Sequence, residues 1–553
     1  MQVAGNRAFM LLMLLWSCFI VRGAFYSAML PMWEGYDEPY HFSFIQYLAA
    51  NHKLPRSATP VSREVESSLH TVPLSWEQRL QTIRPPIFTE DSYWLLTEAQ
   101  RDRLQKETRS IPPEWGAQQG SGPAMYEAQQ APLFYWLMWI PIEWTMHWEL
   151  ASRVMLIRLL SVLVASLLVP IAYRTANLFL GSREQALALT AVIVCMPELM
   201  IDVARVGNES LAIVVFSALT MLLLLAVEAR NERWFVAAGV VLGVGLLTKA
   251  YLLAAIPAYL AIAAYSVWRR PNPRKTCFGA ALGLCAALIV CFPWYWRAHA
   301  LTNSWSGEEN DAAAANQGIA HVMHSVAHVN WIGGLDSILV SHVWFGGWSF
   351  LKLPKAVYLL FALGMAASAA GLIKVLSQSR LRSDRLFVLL ALYGFFWAGL
   401  LYDILVVFIG TGVSASDGWY MYAVILPEML LVAVSLHAVF PKHWRWAVLP
   451  LLATGFAAID LYGVHALLMP YYTGLIRHAP GMDTVSPVSL RASAGIPQLM
   501  FGRLTANRPL WLVRTVIETL TMLYWVATVM TVGVAFKTMY RMEASPLARR
   551  FTS

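Results

Sequence analysis

Long runs of apolar residues alternate along the chain with shorter polar segments. A run of about 20 mostly apolar residues can cross the hydrocarbon core of a bilayer as a helix. The runs therefore predict an all-α polytopic membrane protein, a bundle of about twelve transmembrane helices. The predicted spans lie at 8–30, 153–174, 185–201, 209–228, 234–250, 251–268, 276–294, 355–376, 385–409, 418–440, 446–469 and 513–537.

Composition supports this class and excludes others. Of the 553 residues 58% are hydrophobic and 13% are charged, whereas soluble domains carry about 25% charged residues. The net charge of +8 does not indicate a nucleic-acid partner, because the basic residues form short clusters between apolar runs. The five cysteines lie in or beside apolar runs. We therefore expect neither a disulfide framework nor a cysteine-based zinc site.

The short basic clusters assign the sides of the membrane. Lys and Arg in short loops mark the cytoplasmic side, and the clusters all fall on one side of the predicted spans. The opposite, outer side then holds the long segments 31–152, 295–354 and 470–512. The apolar run at 132–148 is predicted to lie on the outer surface as an interfacial helix. The clusters contain Arg174, Arg183, Arg230, Arg233, Arg269, Arg270, Arg274, Lys275, Lys374, Arg380, Arg382, Arg385, Lys442, Arg445, Arg541, Arg549 and Arg550.

Candidate chemistry lies at the outer boundary. The adjacent acids Asp37 and Glu38 directly follow the first span. Three basic residues, Arg205, Lys249 and Arg297, also fall at this boundary, whereas the clustered basic residues lie on the cytoplasmic side. Charge near a bilayer is costly and usually has a partner or a function. A lipid phosphate is one such partner, and snorkelling to bulk headgroups is the alternative.

These residues belong to short motifs through which the chain resembles the GT-C superfamily of membrane glycosyltransferases. The resemblance is to the bacterial relatives of protein O-mannosyltransferases and aminoarabinose transferases. Two positions depart from the family pattern: Ala131 replaces the first proline of a Pro-Pro pair, and Trp419 stands where relatives often have arginine. The motifs are Asp37–His41, Tyr126–Tyr135, Arg205–Leu211, Gly245–Lys249, Pro293–Arg297, Trp344–Trp348 and Gly418–Tyr420.

The resemblance implies transfer of a sugar from a polyprenyl-phosphate donor, with inversion at the sugar carbon and a carboxylate base. Asp37 is the predicted base, since the attacking acceptor hydroxyl must lose a proton. Glu38 is predicted to orient a sugar hydroxyl or a neighbouring cation. The predicted donor-binding residues are Lys249, Arg297 and Arg205 for the leaving phosphate, Glu127 for the positive character of the sugar ring, and Asn208, Tyr420 and His41.

The resemblance also carries expectations about domains, partners and location. We expect a catalytic region at 1–470, and an outer segment with a final transmembrane helix at 471–553. The expected partners are the lipid-linked sugar, membrane lipid and an acceptor that is a glycan, a lipid or a protein. The enzyme is expected in the inner (plasma) membrane with its site facing the periplasm. The sugar, the acceptor and the roles of 56–120 and 470–512 stay open.

No obligatory cofactor is predicted, although a divalent metal is left open. His321, His324 and His328 have a spacing that could place three imidazoles on one helical face, which raises zinc as an alternative. A polar helix face over the membrane explains the same pattern.

Two rival functions remain at this point. A flippase or transporter of polyprenyl-linked sugars would use polar groups near the bilayer midplane, whereas the polar residues singled out here lie at the outer rim. A non-catalytic membrane scaffold would use the outer loops only for binding.

Overall fold

The computed structural model describes residues 2–544 except 81–82, 84–85, 116–121, 316, 379–383 and 490–496. Arg380, Arg382, Arg549 and Arg550 of the basic clusters lie outside these residues. Within them the only paired strands are two short parallel ones, Pro73–Leu74 and Phe88–Thr89. The remainder is helix and connecting segments, so the predicted all-α class is confirmed.

Ten helices of the described chain are long and apolar enough to cross a membrane, or eleven if one bent pair counts as a span. The bent pair is Arg183–Cys195 and Pro197–Val203, whose axes differ by 65°. The ten helices are Asn6–Met29, Leu150–Leu180, Glu209–Glu228, Ala250–Arg269, Pro273–Thr302, Lys355–Ser377, Asp384–Thr411, Gly418–Val439, Lys442–Tyr471 and Arg514–Met542.

Two of the predicted spans differ from regular transmembrane helices. The run 185–201 breaks at Met196, because Pro197 cannot donate a backbone hydrogen bond and instead starts a new helix. The run 234–250 forms only Arg233–Leu246, a helix of about 21 Å against a hydrocarbon core of about 30 Å. This short helix packs closely on Pro273–Thr302, and a Cβ at Gly239 would lie 2.1 Å from the carbonyl oxygen of Gly283.

The shorter helices lie mainly in the polar segments predicted for the outer side. The run 132–148 forms the 12-residue helix Leu133–Trp144, which is too short to span and exposes Trp136 and Trp144. The other such helices are Glu38–Asn51, Arg63–Leu69, Glu77–Leu80, Glu90–Tyr93, Glu98–Ser110, Tyr126–Gln129, Glu309–Ala315, Ile319–His328, Trp331–Val343 and Pro497–Arg503.

The three predicted outer segments meet at one end of the bundle. The His478 ring contacts the Asp91 carboxylate at 2.9 Å, and its Nε2 lies 2.9 Å from the carbonyl oxygen of Ser349. Trp76 donates to Asp483 at 2.6 Å. The segment beginning at residue 470 therefore docks on the first outer segment, and its described residues do not line the large cavity described below.

A buried ion pair joins the first helix to the span Lys442–Tyr471, and the last helix binds the same carboxylate through a tyrosine. Arg22 donates to Asp460 at 2.8 Å, and Tyr524 donates to the same carboxylate at 2.6 Å. Both charged side chains are fully buried, as expected for charges that must find partners at membrane depth. The final helix, part of the predicted second domain, thus shares its core with the first.

Candidate functional site

Six charged residues from six different connections between helices gather at the end of the bundle that carries the outer segments. Each of them influences the pKa of at least one other member of the set. Because alternate connections of a helical bundle lie at the same end, residues far apart in the chain become neighbours here. The six, which we name the charged cluster, are Asp37, Glu127, Arg205, Lys249, Glu308 and Asp417.

Lys249 lies where the chain crosses from the short helix Arg233–Leu246 to the span Ala250–Arg269. Its ammonium pairs with the carboxylate of Glu209 and faces the rings of Tyr251 and Tyr420, with centroids at 5.4 and 5.1 Å. Burial and the neighbouring Arg205 lower the pKa of Lys249 to about 8. Lys249 is thus a cation held between aromatic rings, with Tyr420 placed beside it.

Arg205 pairs with two buried carboxylates that lie outside the charged cluster, those of Asp202 and Glu209. Its Nη2 lies 2.9 Å from Asp202 Oδ1 and 2.8 Å from Glu209 Oε2. Its Nη1 donates to the carbonyl oxygen of Tyr36 at 2.8 Å. The side chain is 1% exposed and does not line the cavity, so the structure gives Arg205 no direct access to a donor phosphate.

Asp37 is the member of the acid pair whose carboxylate is left accessible. Its backbone has φ 54°, a left-handed conformation, directly before the helix Glu38–Asn51. The hydroxyl of Tyr126 donates to Asp37 Oδ1. Burial raises the pKa of Asp37 to about 7, although the positive charges of Arg205 and Lys249 act in the opposite direction. Its carboxylate can therefore exchange a proton near neutral pH.

Glu38, in contrast, is fully engaged inside the protein. Arg158 donates to its two oxygens at 2.7 and 2.5 Å. The backbone N–H groups of Trp33 and Val206 donate at 3.1 and 2.9 Å. Of the two predicted roles, the contacts match orientation of a neighbouring cation, and they leave no free oxygen for a sugar hydroxyl.

Glu127 and His41 form a buried pair next to Asp37. The nearest atoms, Glu127 Oε2 and His41 Nδ1, are 3.5 Å apart, and Glu127 Oε2 makes no hydrogen bond. His41 Nδ1 lies 2.7 Å from the hydroxyl of Tyr135. Burial lowers the pKa of His41 well below its usual value, while burial and the charge of Asp37 raise the pKa of Glu127. The His41 imidazole is therefore neutral near pH 7, and burial favours the protonated form of the Glu127 carboxyl.

Glu308 and Asp417 are members of the cluster that the sequence analysis missed. Gln130 donates to Glu308 at 3.1 Å and accepts from Asn208, whose Nδ2 also donates to the carbonyl of Thr248. Burial raises the pKa of both Glu308 and Asp417 to about 7. One signal was present: the acid pair at 308–309 follows a span as Asp37 and Glu38 do.

A cavity of about 590 Å³ opens beside Lys249. Its polar lining includes Gln130, Lys249, Glu308, Asp311, Asp403 and Asp417. The rest extends between the spans Ala250–Arg269 and Asp384–Thr411. The arrangement suits a molecule with one polar and one apolar end. The apolar wall contains Leu253, Ala254, Pro257, Phe395, Phe396, Leu400, Val406 and Val407.

Arg297 is not brought into the charged cluster. Its Nη2 donates to the carbonyl oxygen of Pro55 at 3.0 Å, and its guanidinium lies over the ring of Trp294. It does not line the cavity. The sequence placed Arg297 at the right end of the bundle, but the tertiary structure turns it toward a different loop.

The histidines considered for zinc lie on the helix Ile319–His328. His324 and His328 stack with ring centroids 4.0 Å apart. Among the described residues no group of three or more His, Cys, Asp or Glu side chains is arranged to hold a metal ion. The absence of an obligatory metal stays a prediction.

Comparison with solved structures gives distant similarities. Crystal structures of ArnT from Cupriavidus metallidurans match with 14% identity, at a TM-score of 0.43 bound to undecaprenyl phosphate and 0.45 in the apo state. These matches cover 95% and 97% of this chain and 77% and 78% of the ArnT chains. The Archaeoglobus fulgidus oligosaccharyltransferase in complex with Zn and sulfate matches at 13% identity and a TM-score of 0.43, over 80% of this chain and 52% of that one. TM-scores below 0.5 are too low to assign residues or substrates.

Sequence families give a more direct result. No curated protein matches the chain. Residues 129–296 match the family described as dolichyl-phosphate-mannose-protein mannosyltransferase. The match covers less than half of the chain and includes Arg205, Asn208 and Lys249. It confirms the resemblance to GT-C membrane glycosyltransferases that the motifs predicted, and with it the prediction that the chain is a glycosyltransferase.

Proposed function

We propose that this enzyme moves a sugar from a polyprenyl-phosphate donor to an acceptor hydroxyl at the outer face of the membrane, with inversion and with Asp37 as general base. The observation that carries the proposal is the electrostatic proximity of Asp37 to Lys249, which lines an amphipathic cavity. A carboxylate that exchanges its proton near neutral pH and a cation beside an apolar groove are the two groups this transfer needs.

The cavity supports a lipid-linked donor. Lys249 would face the phosphate, and the wall between Ala250–Arg269 and Asp384–Thr411 would contact the prenyl chain. A charge-assisted bond from an ammonium to phosphate is among the stronger polar contacts. The family matched by residues 129–296 is named for a dolichyl-phosphate mannose donor, which supports the same class of substrate.

Asp37 supplies the base. As the acceptor oxygen bonds to the anomeric carbon, its proton passes to the Asp37 carboxylate, and the bond from that carbon to the phosphate oxygen breaks. The electron pair of that bond leaves with the polyprenyl phosphate, whose negative charge Lys249 stabilises. One displacement of this kind inverts the anomeric centre, so no covalent enzyme intermediate is required.

The remaining predicted residues take supporting roles in this proposal. Glu127, with a free buried oxygen beside Asp37, is assigned to a sugar hydroxyl, and neutral His41 positions it. Asn208 holds Gln130, which in turn holds Glu308 at the cavity. Arg205 holds the buried carboxylates of Asp202 and Glu209, and Tyr420 packs against the Lys249 ammonium. Leaving-group stabilisation is assigned to Lys249 without Arg297.

The outer, periplasmic face of the inner membrane is the proposed location. The charged cluster lies at the end of the bundle opposite the short basic loops, such as those with Arg183, Arg230 and Arg274. Basic loops of this kind stay on the cytoplasmic side. The acceptor is a glycan, a lipid or a protein with a free hydroxyl.

The flippase alternative finds less support. Transporters place their substrate sites near the bilayer midplane. Inside this bundle the charged pair Arg22 and Asp460 is closed by direct contacts, including hydrogen bonds from two tyrosines. A scaffold would not require a carboxylate that titrates near pH 7 beside a cavity.

Experiments on the reconstituted full-length enzyme would distinguish the transferase from the flippase and the scaffold. Proteoliposomes would be given polyprenyl-phosphate mannose, then other polyprenyl-phosphate hexoses and pentoses, together with cell-envelope extract as the source of acceptor. Release of polyprenyl phosphate that requires Asp37 supports the transferase. Passage of intact lipid-linked sugar across the bilayer without cleavage would overturn it in favour of the flippase.

A further inference from the structure

The residue before Asp37 is held at both of its ends by one short half-helix. Glu198 lies at the start of Pro197–Val203, the second half of the bent pair, and accepts a hydrogen bond from the hydroxyl of Tyr36 at 2.5 Å. At the other end of the same half-helix Asp202 holds Arg205, which donates to the Tyr36 carbonyl. Hydrogen bonds therefore hold both the ring hydroxyl and the backbone carbonyl of Tyr36.

Packing around Tyr36 leaves it little freedom. Its ring stacks on Trp419 with centroids 4.0 Å apart and planes 9° apart, and the Arg205 guanidinium lies 4.9 Å from its centroid. A Cβ at the preceding Gly35 would lie 2.7 Å from Arg205 Cβ. The approach of this loop to Arg205 thus requires glycine at that position.

Glu198 also binds a second loop, which contains Phe345 and Gly346, next to Tyr36. Its Oε2 accepts from the backbone N–H groups of Phe345 and Gly346 at 2.8 and 3.1 Å. These residues belong to the motif Trp344–Trp348, which the proposed function does not use. Glu34 accepts from the N–H and hydroxyl of Ser349, both at 3.0 Å. The two loops are therefore tied together on either side of Tyr36.

We infer that Glu198 is a positioning residue of the glycosyl transfer, which sets the orientation of Asp37 through the hydroxyl of Tyr36. Asp37 has a positive φ, a conformation that is costly for a residue with a side chain. It persists only if its neighbours are fixed, and Glu198 fixes the nearest one. A small displacement of a catalytic group can lower the rate by about a hundredfold. The inference rests on the proposed role of Asp37.

The test combines Glu198→Gln, Tyr36→Phe and the double variant in the full-length reconstituted enzyme. Phenylalanine removes only the hydroxyl and keeps the stack on Trp419. We expect each single variant to lower kcat by roughly ten- to a hundredfold, with the KM for polyprenyl-phosphate sugar changed by less than about threefold. The losses in the double variant should be less than additive, because both changes weaken the hydrogen bond between Tyr36 and Glu198.

Tyr26→Phe is the matched control, since Tyr26 also donates to a buried carboxylate, that of Asp460 inside the bundle. Its kcat should equal that of the wild type. Additive losses in the double variant, or a wild-type rate for Tyr36→Phe, would overturn the inference. If Glu198→Gln does not fold, the kcat of Tyr36→Phe alone tests the positioning role.

Asp37→Asn, measured in parallel, separates this inference from the proposed function. If Asp37→Asn is inactive while Tyr36→Phe transfers sugar at the wild-type rate, only the positioning role of Glu198 is removed. Active Asp37→Asn would remove the proposed base, and the positioning role with it.

Discussion

Arg158 donates two hydrogen bonds to the carboxylate of Glu38, at 2.7 and 2.5 Å. The adjacent acid, Asp37, instead accepts a hydrogen bond from the hydroxyl of Tyr126 and stays accessible. Two neighbouring carboxylates thus occupy opposite environments, since one faces the site and the other faces the interior. Substitution of Asp37 should therefore affect the chemistry, whereas substitution of Glu38 should affect the stability.

Asp37→Asn should abolish transfer while leaving the protein folded. The amide keeps the size of the side chain but cannot accept the acceptor proton, so kcat should fall by about 10² to 10⁴-fold. Release of polyprenyl phosphate and thermal unfolding in detergent would be measured together. A near-normal rate, or a loss of folded protein that explains the lost activity, would contradict the assignment.

Glu38→Ala should act mainly on stability. It leaves Arg158 buried without its carboxylate, and breaking a buried ion pair costs about 3 to 5 kcal/mol. The unfolding temperature should fall well below that of Asp37→Asn. Equal unfolding temperatures for the two variants would show that the Arg158 contact contributes little.

The pH dependence of kcat/KM should be bell-shaped, because this ratio reports the pKa values of the free enzyme. Asp37, with a pKa raised to about 7 by burial, acts as base only when ionised, so the rate should rise as the pH increases through about 7. Lys249, with a pKa lowered to about 8, loses its charge above that pH, so the rate should then fall. Initial rates from pH 5 to about 10 would test this. A rate that is flat from pH 6 to about 8 would argue against both groups.

Lys249→Ala should weaken the donor more than the acceptor. Loss of a charge-assisted contact of about 1.5 to 3 kcal/mol corresponds to roughly a ten- to hundredfold rise in the donor KM. Arg297→Ala is the comparison variant. Because Arg297 contacts Pro55 and Trp294 outside the cavity, its donor KM should stay within about twofold of wild type. The reverse order of effects would restore Arg297 as the phosphate ligand.

Asp460→Ala should destabilise the bundle without affecting the chemistry directly. It leaves Arg22 buried without a counter-charge, at a cost of about 3 to 5 kcal/mol. Glu228→Ala breaks the exposed pair with Arg385 and should cost less than about 1 kcal/mol. Thermal unfolding of both variants would be compared, and similar losses would contradict a special role of the buried pair.

Patterns along the chain were enough to predict the class of the protein and the end of the bundle at which the candidate site lies. Apolar length is a local property, so most spans could be predicted by counting, and short basic loops then assigned the sides. Asp37, Lys249 and Arg205 were singled out because charges at a membrane boundary stand out against an apolar background, and Glu127 because it belongs to a motif of the family resemblance. A local break was harder to predict: Met196–Pro197 divides a run that is apolar throughout.

Which of these charges meet could be learned from the three-dimensional structure alone. Glu38 and Asp37 are adjacent in the chain, yet a helix that begins between them turns one inward to Arg158 and leaves the other at the site. Arg297 and Lys249 share a depth, but packing directs them to different loops. Glu308 and Glu198 gained their places through contacts with residues more than a hundred positions away. Spacing along the chain cannot supply such contacts, because they depend on how the helices pack in three dimensions.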